Sequence, residues 1–144
     1  KKRVHLICNA HIDPIWQWDW QEGASAVLST FRSAANVADK YDYIFCHNES
    51  LIYRWVEEYE PALFTEIQEL VKLGKWHIMG GWHVQPDCNL PSGEAFARQS
   101  LYSQRYFKES SCGVPSERNQ RQAPRSSSLR LYRRPEQSRL LADR

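Results

Sequence analysis

The sequence has little of what would mark a membrane, disulfide-stapled or strongly charged protein. Its 144 residues contain no run of 18 or more apolar residues, so no transmembrane helix is expected. The basic opening Lys1-Lys2-Arg3 mimics the start of a signal peptide. The apolar stretch behind it, Val4 to Cys8, is too short for one and breaks at Asn9. A formal net charge of +2 gives no electrostatic reason for a nucleic-acid or membrane partner. Only four cysteines occur, at 8, 46, 88 and 112, with neither a C-x-x-C pair nor zinc-finger spacing. Cys8 and Cys46 lie in strand-like runs and read as free buried thiols. Unpaired thiols and the missing leader together predict a reducing, cytoplasmic location.

Two residue types vanish part-way along the chain. All six tryptophans lie at or before Trp82, and no lysine follows Lys108. Residues 1–110 carry 11 basic and 14 acidic residues, net −3; residues 111–144 carry 8 arginines and 3 acids, net +5. The second stretch is rich in Ser, Arg, Gln and Pro, with little apolar periodicity. Such a composition buries too little apolar surface to offset its ordering entropy. The expected organisation is one domain over 1–110 and a low-complexity basic tail over 111–144. That tail is either disordered or translated out of frame, since GC-rich DNA read in the wrong frame gives Arg-rich, Lys-free runs.

What is present alternates. Val4 to Cys8 is a short apolar run that reads as a buried strand ending in polar residues. From Gln21 to Lys40, the residues Ala24, Val27, Leu28, Phe31, Ala35 and Ala38 share one face of a 3.6-residue period. A second strand, Tyr43 to Cys46, leads to His47-Asn48-Glu49 and a short helix from Leu51 to Tyr59. Pro61 suits the first turn of a further helix, striped by Leu63, Phe64, Ile67, Leu70 and Val71, with Gly74 at its end. Trp76 to Trp82 is a third strand. Past the loop Gln85 to Asn89, Ser92 is a candidate N-cap for a helix reaching Lys108. The order β-α, β-αα, β-α predicts an α/β fold with a parallel sheet. Ligands in such folds bind beyond the C-terminal ends of the strands. Three polar clusters fall there: His11/Asp13, His47/Asn48/Glu49 and Trp82/Gln85/Asp87.

His11 and Asp13 are two positions apart and point to one side of an extended segment. A neutral imidazole and a carboxylate together suit Zn²⁺ or a similar divalent ion, and the same two side chains can instead satisfy one another as a structural His–Asp pair. Trp16, Trp18 and Trp20 come directly after them, and an exposed indole gives the C–H face of a sugar a surface to pack on. At least one of Trp18 and Trp20 is expected to pack internally instead. Glu49 is expected to hydrogen-bond within the fold, His77 and His83 to pack, and Glu57, Glu58 and Glu60 to form a solvated helix face.

The segment AHIDPIWQW resembles the H-x-D-P-x-W signature of glycoside hydrolase family 38, the class II α-mannosidases. NESLIYRWVEEYEP and GKWHIMGGWHVQPDCNLPSGEAFARQSLYSQRYFKE are similar to the blocks that adjoin it, and the likeness covers about residues 3–110. The resemblance implies a partial parallel β/α barrel, about three of the seven βα units of the family's catalytic domain. It implies a zinc-dependent, retaining hydrolysis of α-mannosides through a covalent glycosyl-enzyme. The family's zinc is held by two His and two Asp, of which His11 and Asp13 match one pair, and Trp16 matches the tryptophan that packs on the sugar. Asp87 is assigned to the lining of the substrate pocket, with no catalytic role. The family's nucleophilic Asp, in a D-x-x-G-H-like motif, finds no counterpart in residues 111–144, nor do the second zinc His and the acid/base. This chain alone is therefore expected to be inactive. Two other readings of the same residues are a different metal-dependent sugar hydrolase or deacetylase on a β/α barrel, and a non-catalytic carbohydrate-binding remnant.

Overall fold

The computed structural model describes Val4 and residues 6–110. The chain divides into two units after Val114, and the described residues all lie in the first. The tail expected over 111–144 lies outside them. Helix α1 spans Trp20–Ala38, strand β1 Phe45–Glu49, helix α2 Ser50–Tyr59, helix α3 Pro61–Lys72, strand β2 Trp76–Trp82 and helix α4 Gly93–Glu109. The arrangement is mixed α/β, and β1 and β2 pair in parallel.

The helix ends follow from local chemistry. Asp19 caps α1 by accepting the Glu22 N–H at 3.1 Å, and Ser92 caps α4 through the Ala95 N–H at 3.3 Å. Pro61 occupies the first position of α3, where its missing N–H leaves no bond unmade. Gly74 ends that helix at φ +74°, a conformation that disfavours a Cβ. Its N–H donates to Val71 at 3.1 Å and that of Lys75 to Leu70 at 2.9 Å. These two bonds make a Schellman motif.

The core lies between the sheet and the helices, with Phe107 of α4 packed against Tyr53. Phe31, Tyr53, Ile52, Val56, Leu63, Ile67 and Trp76 are fully buried. The Phe31 ring meets those of Trp76 at 5.1 Å and Tyr53 at 5.3 Å, both edge-on. Edge-to-face pairs of this kind add about 0.5–1.5 kcal/mol each beyond simple burial.

Two expectations need correction. The run Val4 to Cys8 forms no buried strand: Val4 is 81% exposed, Leu6 90% and Ile7 67%. Among the described residues of the run, only Cys8 forms a bridge, to Phe45. A strand needs a ladder of partners, and among the described residues this run meets β1 only at its last one. The second strand starts later than expected and runs on through His47 to Glu49, because its pairing with β2 continues to Glu49 opposite Trp82. The polar cluster therefore lies inside the strand, and His47 and Glu49 are buried. The acidic helix face is solvated as expected, with Glu57 and Glu58 exposed and Glu60 partly so. Glu60 accepts from Arg32 at 3.1 Å, and Glu57 accepts from the Tyr106 hydroxyl at 2.8 Å.

The parallel ladder carries an irregularity at its C-terminal end. His47 faces Ile78 and Glu49 faces Trp82, so two steps on β1 match four on β2. The surplus falls at Met79-Gly80-Gly81, where both glycines have φ +88°. A Cβ on Gly81 would also lie 2.4 Å from Gln104 Nε2 of α4. Glycine is thus required where β2 bulges and turns toward the polar end of the sheet.

Candidate functional site

The first polar segment is tied to β1 residue by residue. The Cys8 carbonyl accepts the Cys46 N–H at 2.8 Å. Asn9 Nδ2 donates to the Cys46 carbonyl at 3.0 Å. The His47 ring donates to the Ala10 carbonyl. Held in this way, the chain emerges at the end of the sheet with His11 and Asp13 facing one another. His11 Nε2 lies 3.1 Å from Asp13 Oδ1, with the side chains 60% and 46% exposed.

Two contacts fix the segment beyond Asp13. Trp18 Nε1 donates to the Asp13 carbonyl at 3.2 Å. The first turn of α1 abuts Pro14 so closely that a Cβ on Gly23 would sit 2.0 Å from the Pro14 oxygen. Trp20 packs beside Trp55 and Tyr59, at ring separations of 6.4 and 6.5 Å. Trp16 is 68% exposed.

Beneath this rim lies a buried polar pair from β1. His47 and Glu49 are each 2% exposed. Burial lowers the His47 pKa to about 4; its bond to Ala10 works the other way, and His11 adds to the lowering. The imidazole is therefore neutral at pH 7. Burial raises the Glu49 carboxyl above its ordinary value, with the Gln85 N–H and His11 opposing and Asp13 reinforcing. Glu49 Oε1 accepts that N–H at 2.6 Å. His47 Nε2 and Glu49 Oε2 are 4.0 Å apart, a contact and not an ion pair, because the imidazole carries no charge.

Asp87 sits on the loop after β2 and is exposed. Its Oδ1 accepts the N–H groups of Asn89 at 2.7 Å and Leu90 at 3.0 Å, which hold the carboxyl below its ordinary value. Among the described residues no hydrogen bond or ion pair joins it to His11 or Asp13. His83 is held by Ser50 Oγ at 2.9 Å and packs edge-on to Tyr102.

The structure thus brings together His11, Asp13, His47, Glu49 and the Gln85 backbone. Sequence places His47 and Glu49 in one of the polar clusters at the strand ends and expects Glu49 to hydrogen-bond within the fold, as it does to Gln85, but it does not foresee that both are buried. The only signal was their place at the end of an apolar run, and their burial depends on the ladder to β2. Among the described residues no group of three or more His, Cys, Asp or Glu side chains is placed to hold a metal. The His11–Asp13 pair still has the right donor chemistry. The 3.1 Å between His11 Nε2 and Asp13 Oδ1 is a hydrogen-bond distance; two atoms bonded to one zinc at about 2.0–2.2 Å in a tetrahedral site sit roughly 3.4 Å apart.

Sequence comparison places these residues in a family. Residues 1–116 match the profile described as Glycosyl hydrolases family 38 N-terminal domain. Alpha-mannosidase G of Dictyostelium discoideum is 35% identical over 108 residues, covering 74% of this chain and 10% of that protein. Alpha-mannosidase 2C1 of Homo sapiens is 32% identical over 105 residues, 72% of this chain and 10% of that protein. The Alpha-mannosidase of Saccharomyces cerevisiae is 30% identical over 106 residues, with the same coverage of 72% and 10%. The chain spans about a tenth of the length of the relatives it matches. With the HIDPIW segment on the sheet rim and the profile match over most of its length, the chain belongs to glycosyl hydrolase family 38, through that family's N-terminal domain.

Proposed function

We propose that this chain is the N-terminal part of a zinc-dependent α-mannosidase, contributing His11 and Asp13 to the metal and Trp16 to the sugar. One observation carries the reading: an imidazole nitrogen and a carboxylate oxygen 3.1 Å apart, both accessible to solvent, on a segment pinned to the sheet. Names of the relatives support the substrate class, since each is an α-mannosidase. The two paired strands and their helices are then part of a larger parallel β/α barrel. When bound, zinc would supply a Lewis-acid contact for vicinal hydroxyls of the sugar.

The residues of the chain do the rest of the binding. His11 Nε2 and Asp13 Oδ1 stand side by side at 3.1 Å and would both turn to the metal. Trp16 offers an indole face to the sugar's C–H surface, and Asp87 lines the edge of the pocket from the loop after β2. No residue here is given the role of nucleophile or acid/base, and the isolated chain is taken to lack turnover.

The test is hydrolysis of a nitrophenyl α-mannoside by the full-length protein. Chelation should abolish it, and His11→Ala or Asp13→Ala should lower it by about 100-fold or more. Trp16→Ala should raise KM without lowering thermal stability. Full activity in the His11→Ala/Asp13→Ala double variant would sink the reading. Acetate release from an acetylated sugar, with no mannoside cleavage, would turn it toward a deacetylase.

A further inference from the structure

The buried pair on β1 has no role in packing that an apolar residue would not fill better. His47 is walled by aromatic rings: Phe31 at 5.2 Å, Tyr53 at 6.2 Å and Phe45 at 6.5 Å. A phenylalanine would suit such surroundings, and burying an imidazole there costs desolvation. What the imidazole adds is directional. With the Glu49 N–H pointing at its Nδ1 at 3.5 Å, its own N–H is left for the Ala10 carbonyl. Ala10 immediately precedes His11. Glu49 acts in the same manner on the other side, its carboxyl oxygen fixing the Gln85 N–H two residues before Asp87.

We propose that His47 and Glu49 are positioning residues, setting from one buried strand where the His11–Asp13 pair and the Asp87 loop stand relative to each other. Resting on the metal-site reading above, the proposal assigns neither residue any contact with metal or sugar. His47 acts through Ala10 on the direction of the His11 side chain. Glu49 acts through Gln85 on the loop that edges the pocket. Outer partners that orient a metal ligand are commonly worth 10- to 100-fold in affinity.

The experiment uses the full-length protein, with Zn²⁺ affinity read by chelator competition and the Co²⁺ absorption spectrum as a reporter of ligand geometry. His47→Gln keeps an N–H for Ala10, and His47→Leu does not. The expected result is Zn²⁺ affinity within about threefold of wild type for His47→Gln and a loss of about 10- to 100-fold for His47→Leu, with an altered Co²⁺ spectrum. Glu49→Gln keeps an acceptor for Gln85 and should leave the KM for the nitrophenyl mannoside unchanged. Gln85→Pro removes the donor at an exposed position while keeping the Glu49 side chain, and should raise KM several-fold.

Wild-type affinity in a folded His47→Leu protein, or equal losses in His47→Gln and His47→Leu, would overturn the assignment. Should His47→Leu fail to fold, the remaining arms decide: an unchanged KM in Gln85→Pro, or a tenfold loss of Zn²⁺ affinity in His47→Gln, would overturn it as well. Failure of the metal-site reading is distinguishable, because it would show as undiminished Zn²⁺ affinity in His11→Ala/Asp13→Ala.

Discussion

The indole N–H of Trp76 donates to the hydroxyl of Tyr53 at 2.8 Å, and both side chains are fully buried. The same hydroxyl donates to the His47 carbonyl at 3.3 Å. One oxygen thus links β2, α2 and the strand that carries the buried polar pair. Tyr53→Phe keeps the ring and leaves the Trp76 N–H without this partner. The expected cost is about 1–3 kcal/mol, the penalty for a buried donor left unsatisfied. Urea denaturation should show a lower midpoint with an unchanged slope.

Gly23 meets the site from the other side. In an exposed helix, Gly→Ala normally stabilises by about 1 kcal/mol. Here the new methyl would overlap the Pro14 oxygen, a backbone atom next to Asp13. Gly23→Ala is expected to destabilise the fold or displace Pro14, and in both cases to weaken Zn²⁺ binding by about tenfold or more, an order of magnitude typical of a disturbed ligand shell. A variant more stable than wild type with unaltered Zn²⁺ affinity would contradict this.

His47 makes stability depend on pH in a defined direction. The unfolded chain takes up this proton near 6.5, the fold only at about 4. Between those values the unfolded state binds more protons, so the contribution is complete above about 6.5 and lost as pH falls toward 4. The full loss is on the order of 3 kcal/mol. Glu49 works oppositely. Its raised carboxyl favours the fold below its ordinary 4.5, and that advantage is lost as pH rises through the folded-state value. Denaturant titrations of the metal-free protein from pH 4 to 9 should show a shallower acid decline in His47→Gln. Glu49→Gln should flatten the decline at higher pH.

Arg32 joins two helices through one guanidinium. Nη1 reaches Glu66 at 2.7 Å and Nη2 reaches Glu60 at 3.1 Å, each within a pair whose side chains are more than a third exposed to solvent. Exposure keeps the value small, and Arg32→Ala should cost about 1 kcal/mol. Arg32→Lys should recover only part of it, because an ammonium has no planar fork. Both differences should shrink in 1 M salt, where the Debye length falls to about 3 Å.

Helices were the most legible feature of this chain. The apolar stripe of α1 appears as buried Ala24, Val27, Phe31, Ala35 and Ala38, and that of α3 as buried Leu63, Phe64, Ile67 and Leu70. Pro61, Gly74 and Ser92 do at the helix ends what their chemistry predicts. Strands were harder to read, because an apolar run of five residues carries no information about its partner. Val4 to Cys8 reads as a buried strand but has one bridge. Conversely, the polar letters His47 and Glu49 conceal two of the most buried side chains in the fold.

Sequence alone determined the local code: where helices start and stop, and which of their faces turn inward. Those properties arise from bonds and periodicities within a few residues. Only the tertiary structure decided that His47 reaches Ala10, that Glu49 reaches Gln85 and that Gly23 must accommodate Pro14. Each of these joins residues far apart along the chain or lying on separate elements. Their energy comes from desolvation and close contact, and both exist only after the sheet and helices have packed.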